Sequence, residues 1–172
     1  MRVLIRSLIH AAAAVLVLVL PLAGFAADNP NSSQQLGPLV KAAQEKIRAI
    51  RSEIEQLDGA LNGAANSSAG VMGNVFVGGG RAEYSDLQRT TRDLTDIGNR
   101  VLDLTAKCGE EAHQVGVKFR TQTQRLQSDI NRIESASGAA MAQMSIGKVR
   151  RDVDDTESQL QAVAGLLGSC GS

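Results

Sequence analysis

The chain has 172 residues, with 18 basic and 18 acidic side chains, and only 2% of its residues are aromatic. The balanced charge provides no basic excess to bind phosphates, which argues against a nucleic-acid partner. The scarcity of aromatic residues disfavours a β-sandwich or barrel, whereas abundant alanine, leucine, glutamine and arginine favour helices. The composition therefore predicts an all-α protein.

The first 26 residues have the layout of a secretory signal peptide. The basic residues Arg2 and Arg6 come first, and an apolar core follows at residues 8–20. The small residues Gly24 and Ala26 then occupy positions −3 and −1 of a cleavage site. The apolar core is shorter than the ~20 residues of a membrane span, and Phe25 stands where a bacterial lipid anchor requires cysteine. We therefore expect cleavage near Ala26, a periplasmic or secreted bacterial protein, and no stable membrane anchor. Loss of the two leader arginines leaves a net charge of −2.

Residues 27–37 are expected to form a flexible N-terminal segment, and residues 38–172 a helical bundle domain. The first predicted helix has apolar residues at alternating steps of three and four: Val40, Ala43, Ile47, Ile50, Ile54, Leu57, Leu61 and Ala64. This spacing is typical of a helix that packs along its length against other helices. Pro38 suits the first turn, where its missing N–H leaves no hydrogen bond unmade.

A glycine-rich loop is predicted at residues 66–80, and it contains the apolar residues Val75, Phe76 and Val77. Arg81 and Ala82 follow where a phosphate-binding loop would need Lys and Ser or Thr, so a nucleotide site is not indicated. The loop is longer than most connections in helical bundles, and long loops are often functional or disordered. Three interpretations stay open: a connector, a cover over the end of the core, or a surface that binds a partner.

Three further apolar patterns predict three more helices. The second contains Leu87, Thr90, Leu94, Ile97, Val101, Leu104 and Cys108; the third Phe119, Leu126, Ile130, Ile133, Ala140 and Met144; the fourth Ile146, Val149, Val153, Leu160, Val163, Leu167 and Cys170. The third and fourth patterns do not join at steps of three or four, and Gly138 lies near the change of register. We therefore predict a hairpin near residues 135–145 rather than one long helix.

The two cysteines, Cys108 and Cys170, lie at the ends of the second and fourth predicted helices. In an antiparallel four-helix bundle these two ends meet at the same pole. An even number of cysteines in an exported protein also favours a disulfide. The fold predicted is thus an elongated antiparallel bundle, or coiled coil, of about four helices with one intramolecular disulfide. Whether further packing occurs between two copies, as a homo-oligomer through coiled-coil faces, stays open.

The sequence contains only weak candidates for catalytic or metal-binding residues. Glu110 and His113 have the Glu-x-x-His spacing of iron-binding bundles, but the second motif that such a site needs is missing. Glu110 and Glu111 are better explained as first-turn carboxylates that stabilise the positive end of a helix dipole. A disulfide would remove Cys108 as a nucleophile beside His113. No catalytic residue, metal site or cofactor is predicted.

Two other groups of residues have simpler explanations than an anion-binding or metal-binding site. The basic run at residues 148–151 is followed by acids four residues on, which indicates a solvated and self-compensated helix face. Met141 and Met144 are expected to be packing residues rather than soft-metal ligands. No motif indicates a particular protein family.

The sequence therefore favours a non-enzymatic protein–protein interaction role in the bacterial envelope, such as an accessory subunit or an inhibitor. The partner is a protein of unknown identity, contacted through the pole loop or a coiled-coil face, with Val75, Phe76 and Val77 as candidate contacts. The alternative is a periplasmic chaperone-like binder of apolar segments.

Overall fold

The computed structural model describes residues 32–66, 80–136 and 138–170. Within these ranges the chain forms helices and turns and no strand. The four helices and a short 3₁₀ turn are α1 (Ser32–Asn66), α2 (Arg81–Thr105), α3 (Glu110–Glu134), α4 (Ala139–Gly165) and the turn Leu166–Gly168. The prediction of an all-α protein with about four helices is confirmed.

The helices form a closed ring in which each packs against the next in the chain and α4 packs against α1. Cross-helix pairs run in opposite residue order, as in Arg51–Asp154 and Arg150–Glu55 between α1 and α4, so neighbours are antiparallel. At one end of the bundle α1 and α3 end and α2 and α4 begin, and we call this end the loop pole. The opposite end contains both cysteines, and we call it the disulfide pole.

The predicted apolar patterns form the core. Members of all four patterns are fully or almost fully buried: Ile47, Ile54, Leu57, Leu87, Leu94, Val101, Phe119, Leu126, Ile133, Val149, Val153 and Leu160. Six threonines are also buried among these apolar residues: Thr90, Thr91, Thr95, Thr105, Thr123 and Thr156. Thr123 and Thr156 donate their hydroxyl protons to backbone carbonyls of their own helices, which satisfies a buried polar group without a partner helix.

Helix α1 begins at Ser32 rather than at Pro38, so residues 32–37 of the segment expected to be flexible are helical. The interpretation of Pro38 as a first-turn residue is wrong, since it lies inside the helix. Leu36 is completely buried and continues the apolar pattern by one more step. Burial of a leucine side chain contributes about 2 kcal/mol, which offsets part of the cost of proline near a helix start. Residues 27–31 lie outside the described residues.

The hairpin between the third and fourth helices is confirmed, and it is tighter than expected. Helix α3 ends at Glu134 and α4 begins at Ala139. Gly138 has a φ of 119°, a left-handed value that glycine adopts without strain. Because α4 starts this early, Ala140 and Met144 belong to it and are exposed, so their assignment to the core of the third helix is wrong; Ala142 is buried instead.

Cys108 and Cys170 form the predicted disulfide, with their Cα atoms 4.9 Å apart. The bond spans 62 residues of sequence and joins the end of α2 to the end of α4. These helices are not adjacent in the ring, so the disulfide crosses the disulfide pole. Gly109 follows Cys108 with a φ of 106° and reverses the chain into α3.

Candidate functional site

The loop pole carries the exposed apolar surface of the described part of the chain. Met141 is 52% exposed and Met144 is 71% exposed, and they are the large hydrophobic side chains exposed among the described residues. A spacing of three residues places both on one side of α4. Their interpretation as packing residues is wrong, because Ala142 and Ile146 form the buried face of α4 at this end and the methionines lie outside it. Flexible thioether side chains of this kind suit contact surfaces for other proteins.

The candidate contacts Val75, Phe76 and Val77 lie outside the described residues, as do residues 67–79 of the predicted loop. The flanking helix ends, Asn66 and Arg81, are at the loop pole.

A polar network connects α2 to the end of α3 at the same pole. Gln88 donates from Nε2 to the hydroxyl oxygen of Tyr84 at 2.8 Å and to Oδ1 of Asn131 at 3.1 Å. Burial, together with the nearby charge of Glu134, raises the pKa of Tyr84 to about 12. Tyr84 therefore stays neutral at physiological pH. The α2–α3 side of the loop pole is thus closed by hydrogen bonds, whereas the α4 side exposes methionines.

Glu110 and His113 do not form a metal site with other residues of the described chain, in which no group of three or more metal-binding side chains occurs. Glu110 accepts a hydrogen bond from Nε2 of Gln114 at 2.8 Å. Glu110 and Glu111 lie in the first turn of α3, as expected for carboxylates at the positive end of a helix dipole.

The basic run at residues 148–151 is not a self-compensated face of α4. Lys148 donates to Asp129 of α3 at 2.8 Å, and Arg150 pairs with Glu55 and Asp58 of α1 at 3.0 and 2.8 Å. The cations therefore connect α4 to both of its neighbours. The run is solvated as predicted, since the side chains of Lys148 and Arg150 are 39% and 41% exposed. The prediction that its acids come from α4 itself is wrong, because a helix inside a closed ring has neighbours on two sides.

Two buried aspartates lie between α3 and α4. Asp129 is 4% exposed and Asp152 is 2% exposed. Arg125 reaches Oδ1 of Asp152 from its Nε at 3.2 Å, while Lys148 and Arg132 reach Asp129. Burial of two carboxyl groups is costly unless they are paired and hydrogen-bonded, so this cluster is the strongest electrostatic feature of the described core.

The apolar pattern does not by itself predict these buried aspartates, although it contains a signal. Asp129 lies three residues after Leu126, and Asp152 three residues after Val149, and these are steps of the apolar pattern. The neighbouring residues Ile130 and Val153 satisfy the same pattern, so the pattern alone does not predict a buried acid at either place. Each of two helices predicted to pack together has an acid beside an apolar residue at a core position. This combination is the signal that indicates a buried pair of acids.

An open groove between α1 and α2 near the disulfide pole has a volume of about 690 Å³. Leu39 and Leu104 form its apolar floor, and Arg100 and Asp103 lie at its edge. The volume falls in the range of small-molecule sites.

Comparison with protein families, with curated proteins and with solved structures gives no match for this chain. Across the helices of the described ranges, none combines the length and apolar character needed to cross a membrane.

Proposed function

We propose that this chain is an exported, non-enzymatic interaction protein of the bacterial envelope, which presents its loop pole to a protein partner. The observation that carries the proposal is the exposure of Met141 and Met144 at that pole. Isolated exposed apolar residues are common, but two large ones on one side of a helix form a patch that favours protein contact. Val75, Phe76 and Val77 lie in the segment that connects two helix ends at this same pole.

Export is supported by the signal-peptide layout of residues 1–26. The Cys108–Cys170 disulfide is consistent with an oxidising compartment. We expect the protein recovered from an envelope or secreted fraction to begin at Ala27. An intact N-terminus beginning at Met1 in that fraction would contradict cleavage.

The proposed role can be tested by affinity capture of the mature protein from its own envelope fraction. Two variants remove apolar surface at the loop pole: Val75→Ser/Phe76→Ser/Val77→Ser, and Met141→Ser/Met144→Ser. Gln161→Ser/Ala162→Ser is the matched control, because both residues are exposed on α4 near the opposite pole. We expect one stoichiometric partner that the wild type and the control retain and that the loop-pole variants lose, with unchanged melting temperatures.

Other outcomes separate the alternatives. Capture of the same partner by both loop-pole variants would show that residues 67–79 are a connector and that the contact surface lies elsewhere. Suppression of aggregation of unrelated unfolded proteins, without a stoichiometric partner, would favour the chaperone-like alternative.

A further inference from the structure

The sulfur atoms of the chain fall into two chemically different groups. Both cysteines are joined in the disulfide, so neither offers a free thiol to an oxidant. Of the four methionines, Met1 belongs to the predicted signal peptide and Met72 lies outside the described residues. In the described part of the chain, the thioethers of Met141 and Met144 are therefore the sulfur atoms open to oxidation.

Both of these thioethers can be reached from solution. Met144 is 71% exposed and Met141 is 52% exposed, and their spacing of three residues places them on one side of α4. A dissolved oxidant must touch the sulfur atom to react with it, so exposure sets the order of reaction. Met144 should be oxidised first, and Met141 second.

The surface around the two methionines carries no charge of its own helix. Residues 139–147 of α4 contain no acidic or basic side chain. The next cations along the helix, Lys148 and Arg150, are paired with acids of α3 and α1. A partner that binds here therefore contacts an apolar, uncharged patch, and one added polar atom changes the character of that patch strongly.

We propose that Met141 and Met144 are an oxidation site that switches off the partner surface of the loop pole. This rests on the proposed function, because it concerns the same surface. The oxidant is a hydroperoxide, which transfers its terminal oxygen atom to the thioether sulfur. An S=O bond forms as the O–O bond breaks, and the proton of the terminal oxygen moves to the other oxygen, which leaves as an alcohol or as water. Sulfur loses two electrons and the peroxide gains them.

Oxidation should affect binding and leave the fold intact. A sulfoxide is polar, and burying it in an apolar contact without a hydrogen-bond donor weakens that contact. The core of the bundle does not meet this cost, because Ala142 and Ile146 form the buried face of α4 at this end. The site therefore separates partner binding from stability.

The oxidation site is tested first without any partner. The mature protein, with its disulfide intact, is treated with hydrogen peroxide, and the added oxygen atoms are located by peptide mass spectrometry. We expect Met144 and then Met141 to react at rates close to those of the denatured protein, with an unchanged melting temperature. Strong protection of both methionines relative to the denatured protein, or unfolding on their oxidation, would overturn the proposal.

The switch is then tested by affinity capture from the envelope fraction, before and after peroxide treatment. We expect oxidation to weaken capture by the wild type at least about tenfold. Reduction by methionine sulfoxide reductases should restore capture. Met141→Leu/Met144→Leu is the matched control, since leucine preserves the apolar surface without sulfur. This variant retains Met72, so it should keep its partner in peroxide even if that residue is oxidised.

The outcomes distinguish failure of the switch from failure of the proposed function. Retention of the partner by wild type with both sulfoxides verified would overturn the switch alone. Loss of the partner by the oxidised leucine variant would do the same, because the sensitive group would then lie elsewhere. Absence of a partner for the untreated wild type would contradict the proposed function and, with it, the switch.

Discussion

The α2–α3 side and the α1–α4 side of the ring pack in different ways, although similar apolar patterns produced both. On the α2–α3 side, glycines allow the backbones to approach: a Cβ atom added to Gly116 would lie 2.0 Å from Oγ1 of Thr105 and 3.3 Å from Cα of Leu102. Gly98 makes a similar approach to Thr123, whose Oγ1 would be 2.8 Å from an added Cβ atom.

On the α1–α4 side, long charged side chains bridge the helices. Each helix offers one arginine to two acids of the other: Arg51 to Asp154 and Glu157, and Arg150 to Glu55 and Asp58. Below these ion pairs an open groove of about 420 Å³ lies over Ile54 and Val153. The size of the residues beside the apolar pattern thus decides whether two helices approach closely or are bridged at their surface.

The disulfide connects the two sides, because Cys108 follows α2 and Cys170 follows α4. The largest expected effect on stability is therefore its removal. For a loop of this length the lost restriction of the unfolded chain corresponds to about 4 kcal/mol, or about 12 °C in melting temperature. We expect this decrease in Cys108→Ser/Cys170→Ser, measured by calorimetry or circular dichroism.

Reduction of the wild type, with both thiols shown to be free, should give a similar decrease. The double serine variant treated with the same reductant is the control and should not change further. An unchanged melting temperature after verified reduction would mean that the two sides are held together by core packing alone.

The stability of the protein should be more sensitive to a single added methyl group on the α2–α3 side, where the helix backbones approach closely, than on α1. We expect Gly116→Ala to destabilise the protein by about 1–2 kcal/mol, because overpacking outweighs the gain in helix propensity. Thr105 is completely buried and donates its hydroxyl proton to the carbonyls of Val101 and Leu102 at 2.9 and 3.1 Å, so it cannot rotate away without losing these bonds. Denaturant unfolding measures the change.

Gly59→Ala is the matched control, because an added Cβ atom there has no neighbour within 4 Å. The same substitution should stabilise α1 by up to about 1 kcal/mol. A Thr105→Ala background should reduce the cost of Gly116→Ala, since it removes the nearest atom. Equal effects of alanine at residues 59 and 116 would show that α2 and α3 separate easily.

The sequence was sufficient for the helices, their order and the disulfide, because each rests on patterns that neighbouring residues repeat. The apolar steps from Val40 to Leu61 specify a buried face, and the positions of Cys108 and Cys170 agree with a hairpin near Gly138. The close approach of α3 to α2 at Gly116 could not be predicted from such patterns. A glycine in a helix pattern looks the same whether its missing side chain faces solvent, as at Gly59, or another backbone.

The start of α1 and the exposed methionines of the candidate site were harder to predict from the sequence, because both depend on tertiary packing. Pro38 is a strong local signal for a helix start, and only the tertiary burial of Leu36 overrides it. The exposure of Met144 depends on where the hairpin turns, and a shift of a few residues moves a side chain from core to surface. Local patterns identify an apolar residue, whereas its partners are decided by the packing of whole helices.

The smallest expected effect on stability comes from the ion pairs that bridge the α1–α4 side of the ring. The side chains of Arg51 and its partners Asp154 and Glu157 are 42%, 71% and 41% exposed, so water and salt screen their attraction. We expect Arg51→Met to cost about 0.5 kcal/mol, as is usual for exposed ion pairs. At 1 M NaCl, where charges are screened within about 3 Å, this difference from the wild type should shrink further.

Lys148→Met is the informative comparison, because it removes one cation in the same way but from a partner, Asp129, that is almost completely buried. Water cannot readily solvate a buried carboxylate that has lost a counter-ion. Lys148→Met should therefore lower the free energy of unfolding several times more than Arg51→Met. Denaturant unfolding of both variants at low and high salt measures the difference. Equal costs with equal salt dependence would mean that solvent reaches the α3–α4 interface as freely as the α1–α4 surface, and that the two sides of α4 do not differ electrostatically.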